Sequence, residues 1–326
     1  MVVLVATLPQ PPVTLTAAVD DPGLVHRLID VHAPYWPVQR YFANGSEYAA
    51  LSGKVDRTPM VVAPVFRGNW AADGTVGAGV EPLLHHQPFI DAARRLFDAE
   101  IVRPTTVYVN LTYQIPFAQG RGHTDIPAFR GFDRTRNPIT FLTIMGLSGL
   151  FEDVRVKTAT AVAWFYRGTD GGFEYWPDGP DRASRIHEGA IDNTAIVGDN
   201  DFMWHRVRPT GRPEDGLPSV TLESELAGRE DRWSIVDGGE SVASFGRDRL
   251  RVSLSWKALV FSSDADRRRH DEHGDDIDLP EILRRFTVDL EERGVEARIP
   301  DDPLRDPAFI DLLRANYVRY PSTAAE

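Results

Sequence analysis

Leu250–Phe261 alternates cleanly through Lys257: Leu250, Val252, Leu254 and Trp256 share one face, and Arg251, Ser253 and Ser255 share the other. Residues two apart on a strand point to the same side, so the segment reads as a strand with one apolar and one polar face. That polar face restricts what the chain can build. A guanidinium and a hydroxyl aligned on a core strand suit a carboxylate, which arginine grips through two parallel hydrogen bonds. Other strands are expected at Thr105–Tyr113, Ile139–Ile144, Thr160–Tyr166 and Asn193–Gly198, where β-branched and aromatic residues recur. Helical spacing marks the flanks. Phe89, Ile90, Ala93, Leu96 and Phe97 form one stripe within Pro88–Glu100; Leu279, Ile282, Leu283, Phe286 and Leu290 form a second, and Phe309, Ile310, Leu313 and Tyr317 a third.

Upstream of that strand lies Gly122-His123-Thr124-Asp125. In an extended backbone His123 and Asp125 aim an imidazole and a carboxylate at one point. With 9 histidines and 48 carboxylates in 326 residues, chance alone supplies such a tripeptide. His273-Gly274-Asp275 is a second copy and His270–Glu272 a variant, but both fall in the charged run Asp264–Asp278, and no histidine follows His273. That run reads as a solvated loop or frayed helix. His123 instead has strand context before it and His205 after it. Two histidines and one carboxylate on one face of a metal form the facial triad of non-haem Fe(II) oxygenases. His187 remains an alternative third ligand, and Arg249 a rival to Arg251.

The order His-x-Asp, long gap, His, then Arg-x-Ser on a final strand resembles the Fe(II)- and 2-oxoglutarate-dependent oxygenase superfamily. Gly171-Gly172 with the aromatic residues after it, and His205-Arg206-Val207, are similar to its prolyl-hydroxylase-like branch. The resemblance covers roughly residues 101–262. It implies that His123, Asp125 and His205 hold Fe(II), and that Arg251 and Ser253 bind the distal carboxylate of 2-oxoglutarate. Tyr108 and Asn110 would add contacts to that co-substrate. Arg130, Arg134 and Trp164 are candidates for binding the substrate. With Asp125 filling the carboxylate position, the resemblance implies hydroxylation of an unactivated C–H in an amino acid or other small metabolite, with O₂ as co-substrate, rather than halogenation. The chain departs from the superfamily in one respect: forty-six residues separate His205 from Arg251, more than is common. Pro209–Asp248 is therefore read as an insertion, with Trp233–Asp237 and Gly238-Gly239 forming a hairpin.

The expected fold is mainly β with flanking α-helices, around a double-stranded β-helix (jelly-roll, cupin-like) core. We expect a single domain: a preface over 1–100, the core over 101–262 with its insertion at 209–248, and a helical segment over 263–326. A metal-dependent cupin-type dioxygenase or isomerase that does not use 2-oxoglutarate, and a non-catalytic jelly-roll binding module, stay open as alternatives. No run of apolar residues is long enough for a membrane span, and Met1–Pro12 lacks the basic start and cleavage site of a signal peptide. Zero cysteines removes disulfides, thiolate nucleophiles and cysteine-ligated metals, and fits a reducing, cytoplasmic setting. A net charge of −12 argues against a nucleic-acid partner. Oligomeric state is not encoded in any pattern found.

Overall fold

The structure, a computed structural model, describes residues 8–41, 62–117 and 120–322. The chain opens with β1 (Val13–Leu15), β2 (Trp36–Pro37), β3 (Val65–Ala72) and β4 (Thr75–Val76), then enters the long β5 (Ile101–Thr112). From there it alternates between two sheets. After β5 in the large sheet, the His123 segment joins the small one. A short pair follows, β6 (Ala128–Phe129) with β7 (Arg155–Val156). β8 (Thr158–Trp164) returns to the large sheet, and β9 (Phe173–Trp176) and β10 (Arg185–His187) belong to the small one. β11 (Thr194–Gly198) is large-sheet and β12 (Trp204–Val207) small-sheet. β13 (Glu225–Arg229), β14 (Arg232–Asp237) and β15 (Glu240–Phe245) form a separate meander before β16 (Arg251–Phe261) closes the large sheet.

The large sheet runs β1-β11-β8-β16-β5-β3-β2, and the small one β10-β9-β12. Its ladders are antiparallel. Alternation of successive strands between two facing antiparallel sheets is the double-stranded β-helix.

Period-two patterning decides what lies on each side of the large sheet. Val107, Val109, Leu111, Ala161, Ala163, Val252, Leu254 and Trp256 face the helices α1 (Pro22–Val31), α2 (Glu81–Leu84) and α3 (Gln87–Phe97) in one apolar core. Trp256 packs on Phe89 of α3 at 5.7 Å between ring centroids, and its indole N–H donates to the Leu84 carbonyl at 2.7 Å. The opposite face carries Arg251, Ser253, Ser255 and Lys257 into the space between the sheets.

Ile139–Ile144 is not a strand. It belongs to α4 (Ile139–Ser148), which ends at Gly149 with φ +71°. The helix is apolar on nearly every side because Phe141, Leu142, Ile144 and Met145 are all buried in a second core, so no helical period shows. That core also takes in α6 (Leu279–Glu292) and α7 (Pro307–Tyr317); between it and β16, α5 (Asp264–Asp271) is a charged helix with no buried residue. The Gly238-Gly239 turn has φ +57° and +87° and joins β14 to β15, the positive-φ pair that tight hairpins require. Among the described residues no helix is long and apolar enough to cross a membrane.

Candidate metal centre

Gly122 has φ +90°, and a Cβ there would lie 2.9 Å from the His205 carbonyl oxygen. Glycine alone permits that approach. It lets His123 and His205 form an antiparallel bridge and exchange both N–H···O bonds at 2.9 Å. Opposed residues in such a pair project to the same side, and the two imidazole centroids are 4.5 Å apart. Asp125, two residues on, joins them, its backbone N–H donating to the Asn200 carbonyl at 2.7 Å. One ligand atom from each of His123, Asp125 and His205 lies within 4.8 Å of the others.

The ligand atoms are prepared for a cation. The Met203 carbonyl lies 2.9 Å from His205 Nδ1 and accepts its proton, leaving Nε2 as a bare donor atom. Burial, with His205 alongside, pushes His123 down to about 3, and burial also lowers His205. Both rings are therefore neutral at pH 7, as metal ligation needs. Burial works against ionisation of Asp125, but the Lys257 ammonium outweighs it and holds the carboxyl well below the usual range. Lys257 Nζ donates to Asp125 Oδ2 at 2.6 Å and Thr160 Oγ1 to the same oxygen at 3.1 Å. Behind them, Arg155 braces the 199–201 loop, contacting Asp199 at 3.1 Å and Asp201 at 3.4 Å. Two neutral imidazoles and one ionised carboxylate fit a divalent first-row metal with open positions.

The interior also holds a buried cation. Arg251 is 1% exposed, donates Nε to the Gly171 carbonyl, and has no carboxylate within ion-pair distance among the described residues. Burial lowers it to about 10, still charged at neutral pH. Gly171 has φ +63°, and a Cβ there would lie 2.6 Å from Arg251 Cδ, which explains the Gly-Gly step in the sequence. Ser253 is buried beside Arg251 and stands between Asn110 and Trp164 across its two ladders. Asn110 and Tyr108 share the interior face but hold Arg67: Asn110 Oδ1 accepts its Nε at 3.0 Å, and the guanidinium sits 4.2 Å from the Tyr108 ring centroid. Trp164 is fully buried in the interior, with Phe173 at 5.3 Å between centroids.

Other candidates lie elsewhere. His187 is tied to Thr194 Oγ1 at 2.7 Å and stands outside the converging set. Arg249 precedes β16 in a turn and pairs with Asp215 at 2.9 Å and Gln114 Oε1 at 3.0 Å. Arg130 is committed to Asp275 at 2.6 Å and to the Asp153 carbonyl, and Arg134 is exposed. A cavity of about 520 Å³ beside Arg130 is lined by Asp153, Asp266, Glu281 and Arg285, whose charges pair with one another or with Arg130. Lys257 and Thr160, which both donate to Asp125, are neighbours that the motif does not contain. Lys257 has the same parity as Arg251, Ser253 and Ser255, so its facing was encoded in the alternation; its partner, far away in sequence, was not.

No family model matches the chain, and no curated protein matches it. Among solved structures it is similar to a prolyl hydroxylase from Trichoplax adhaerens in complex with a hypoxia inducible factor oxygen degradation domain peptide fragment, at 10% identity over 81% of this chain and 87% of that one, TM-score 0.40. It is also similar to a Pseudomonas putida prolyl-4-hydroxylase (10%, 78% and 94%, TM-score 0.35). A third is an oxidoreductase of the 2OG-Fe(II) oxygenase family from Burkholderia pseudomallei (12%, 74% and 91%, TM-score 0.33).

Proposed function

We propose that the chain is an Fe(II)- and 2-oxoglutarate-dependent oxygenase that hydroxylates an unactivated C–H of an amino acid or other small metabolite. One observation carries the reading: two neutral imidazoles with an ionised carboxylate, and a buried guanidinium with no carboxylate within ion-pair distance among the described residues, share one jelly-roll interior. His123, Asp125 and His205 would hold the ion. When bound, Fe(II) with 2-oxoglutarate and O₂ supplies oxidative decarboxylation to succinate and CO₂, coupled to oxygen insertion into the substrate.

The chain's own residues do the rest. Arg251 and Ser253 hold the distal carboxylate of the co-substrate; a buried charge is tolerable when such a partner arrives. Gly171 keeps Arg251 in place through its carbonyl. Trp164 and Phe173 exclude water from the interior, where electrostatic contacts are consequently stronger. His205 keeps its proton on Nδ1, and Asp125 stays ionised against Lys257.

The test is anaerobic titration of Fe(II)-loaded protein with 2-oxoglutarate, followed by visible absorbance, with succinate then measured on admission of O₂. Induced absorbance and succinate in wild type, both lost in His205→Ala, support the reading. Bound iron without either signal replaces it with a jelly-roll metalloenzyme that does not use 2-oxoglutarate. Failure to bind iron leaves a binding module.

A further inference from the structure

Two donors from two neighbouring strands converge on a single oxygen of Asp125. Lys257 of β16 and Thr160 of β8 are direct cross-strand partners. Their side chains reach the same atom, Oδ2, at 2.6 Å and 3.1 Å. Oδ1 has no partner among the described residues. A carboxylate gripped this way cannot turn without breaking a charge-assisted hydrogen bond in a part-buried setting. Its backbone is fixed as well, through the Asn200 carbonyl.

We propose that Lys257, with Thr160, is a positioning residue for the metal-binding carboxylate and restricts Asp125 to coordination through Oδ1 alone. The inference rests on the metal reading above. A carboxylate that used both oxygens would fill an additional coordination position, whereas one with Oδ2 engaged leaves that position to small molecules. Lys257 is suited to the task because its stem lies along the interior face of a central strand while its ammonium ends at the ligand set.

The experiment is Co(II) titration of the metal-free full-length protein, followed by visible absorption, on wild type, Lys257→Met, Lys257→Arg, Thr160→Val and His123→Ala. Partners that orient metal ligands are worth about 10–100-fold in affinity. Lys257→Met is expected to weaken Co(II) binding by about that factor and to change the absorption of the bound ion. Thr160→Val should weaken it in the same direction by less, and Lys257→Arg should restore wild-type affinity and spectrum. Circular dichroism melts of the metal-free proteins separate these losses from unfolding, and should Lys257→Met fail to fold, Thr160→Val and Lys257→Arg decide the matter. Wild-type affinity and spectrum in both Lys257→Met and Thr160→Val would overturn the proposal, as would tighter binding in Lys257→Met, since the lysine would then be a competitor of the ion. Equal binding by wild type and His123→Ala would remove the metal reading itself, and this inference with it.

Discussion

His123 and His205 are bonded to each other through their backbones, each donating its N–H to the other's carbonyl at 2.9 Å. The spacing of the two imidazoles is therefore set by one bridge of the small sheet and not by loop packing. Gly122 makes that bridge possible. Gly122→Ala should lower stability by about 1–3 kcal/mol, since it combines a positive φ with a contact no Cβ makes, and should weaken Co(II) binding alongside. Thermal melting and metal titration on the same sample check both effects.

The ligand set can be separated from its bystander. His123→Ala and His205→Ala should each abolish stoichiometric Fe(II) binding under anaerobic conditions. His187→Ala should leave it intact, because that imidazole is spent on Thr194. Iron binding lost in His187→Ala and retained in His205→Ala would assign the third ligand to His187.

Arg251 offers a test in which stability and binding diverge. No carboxylate pairs with Arg251 among the described residues, and Asp170 and Tyr166 offset its burial only in part, so the charge weakens the fold until an anion arrives. In wild type, 2-oxoglutarate should raise the melting temperature, and the rise should continue with the logarithm of its concentration after the site is filled. Arg251→Met should match or exceed the wild-type melting temperature without ligand, yet need 2-oxoglutarate at concentrations higher by on the order of 100-fold. Differential scanning fluorimetry across a 2-oxoglutarate series reads both quantities.

Gly171→Ala should reproduce the co-substrate half of that result. Its Cβ would meet Arg251 at 2.6 Å, so the guanidinium must move, at a cost of about 1–3 kcal/mol. The proposed metal ligands lie on other elements and should bind Co(II) normally. A parallel loss of metal affinity would show that the two ends of the interior are not independent.

One carboxylate sets a pH dependence. Burial, with Asp199 crowding the same guanidinium and Arg155 opposing, pushes Asp201 from 3.8 up to about 7. Between those values the folded protein holds a proton that the unfolded chain has released, so this group's contribution to stability falls as pH rises through the window. Urea unfolding of metal-free protein at several pH values from 4 to 8 should show the stability of wild type falling relative to that of Asp201→Asn as pH rises. Identical slopes would count against the raised value.

Much of this arrangement is legible in the chain because β-strand parity is a strict rule. The polar face of Leu250–Phe261, the grouping of His123 with Asp125, and the glycine pair after Asp237 all follow from local periodicity and turn chemistry. What is not legible depends on burial and on distant partners. α4 is apolar on nearly all sides, and its β-branched start mimics a strand because nothing in Ile139–Ile144 marks a solvent face. Arg130 and Arg251 are both buried arginines, and only tertiary structure tells them apart: one is met by Asp275, the other by no carboxylate among the described residues. Asn110 and Tyr108 face inward as expected, but Arg67, on a strand that pairs with theirs, occupies them.

β16 is the last core strand in sequence and the middle one in space, with ladders to β5 on one side and β8 on the other. Apart from it, the halves β1-β11-β8 and β5-β3-β2 of the large sheet have no common ladder. Until residues 251–261 are in place, the edges of β5 and β8 that they cover stay open, and an open strand edge invites pairing with another chain. Arg251 and Lys257 arrive on the very segment that ends this exposure. The segment that completes the interior is also the one that covers the facing edges of β5 and β8.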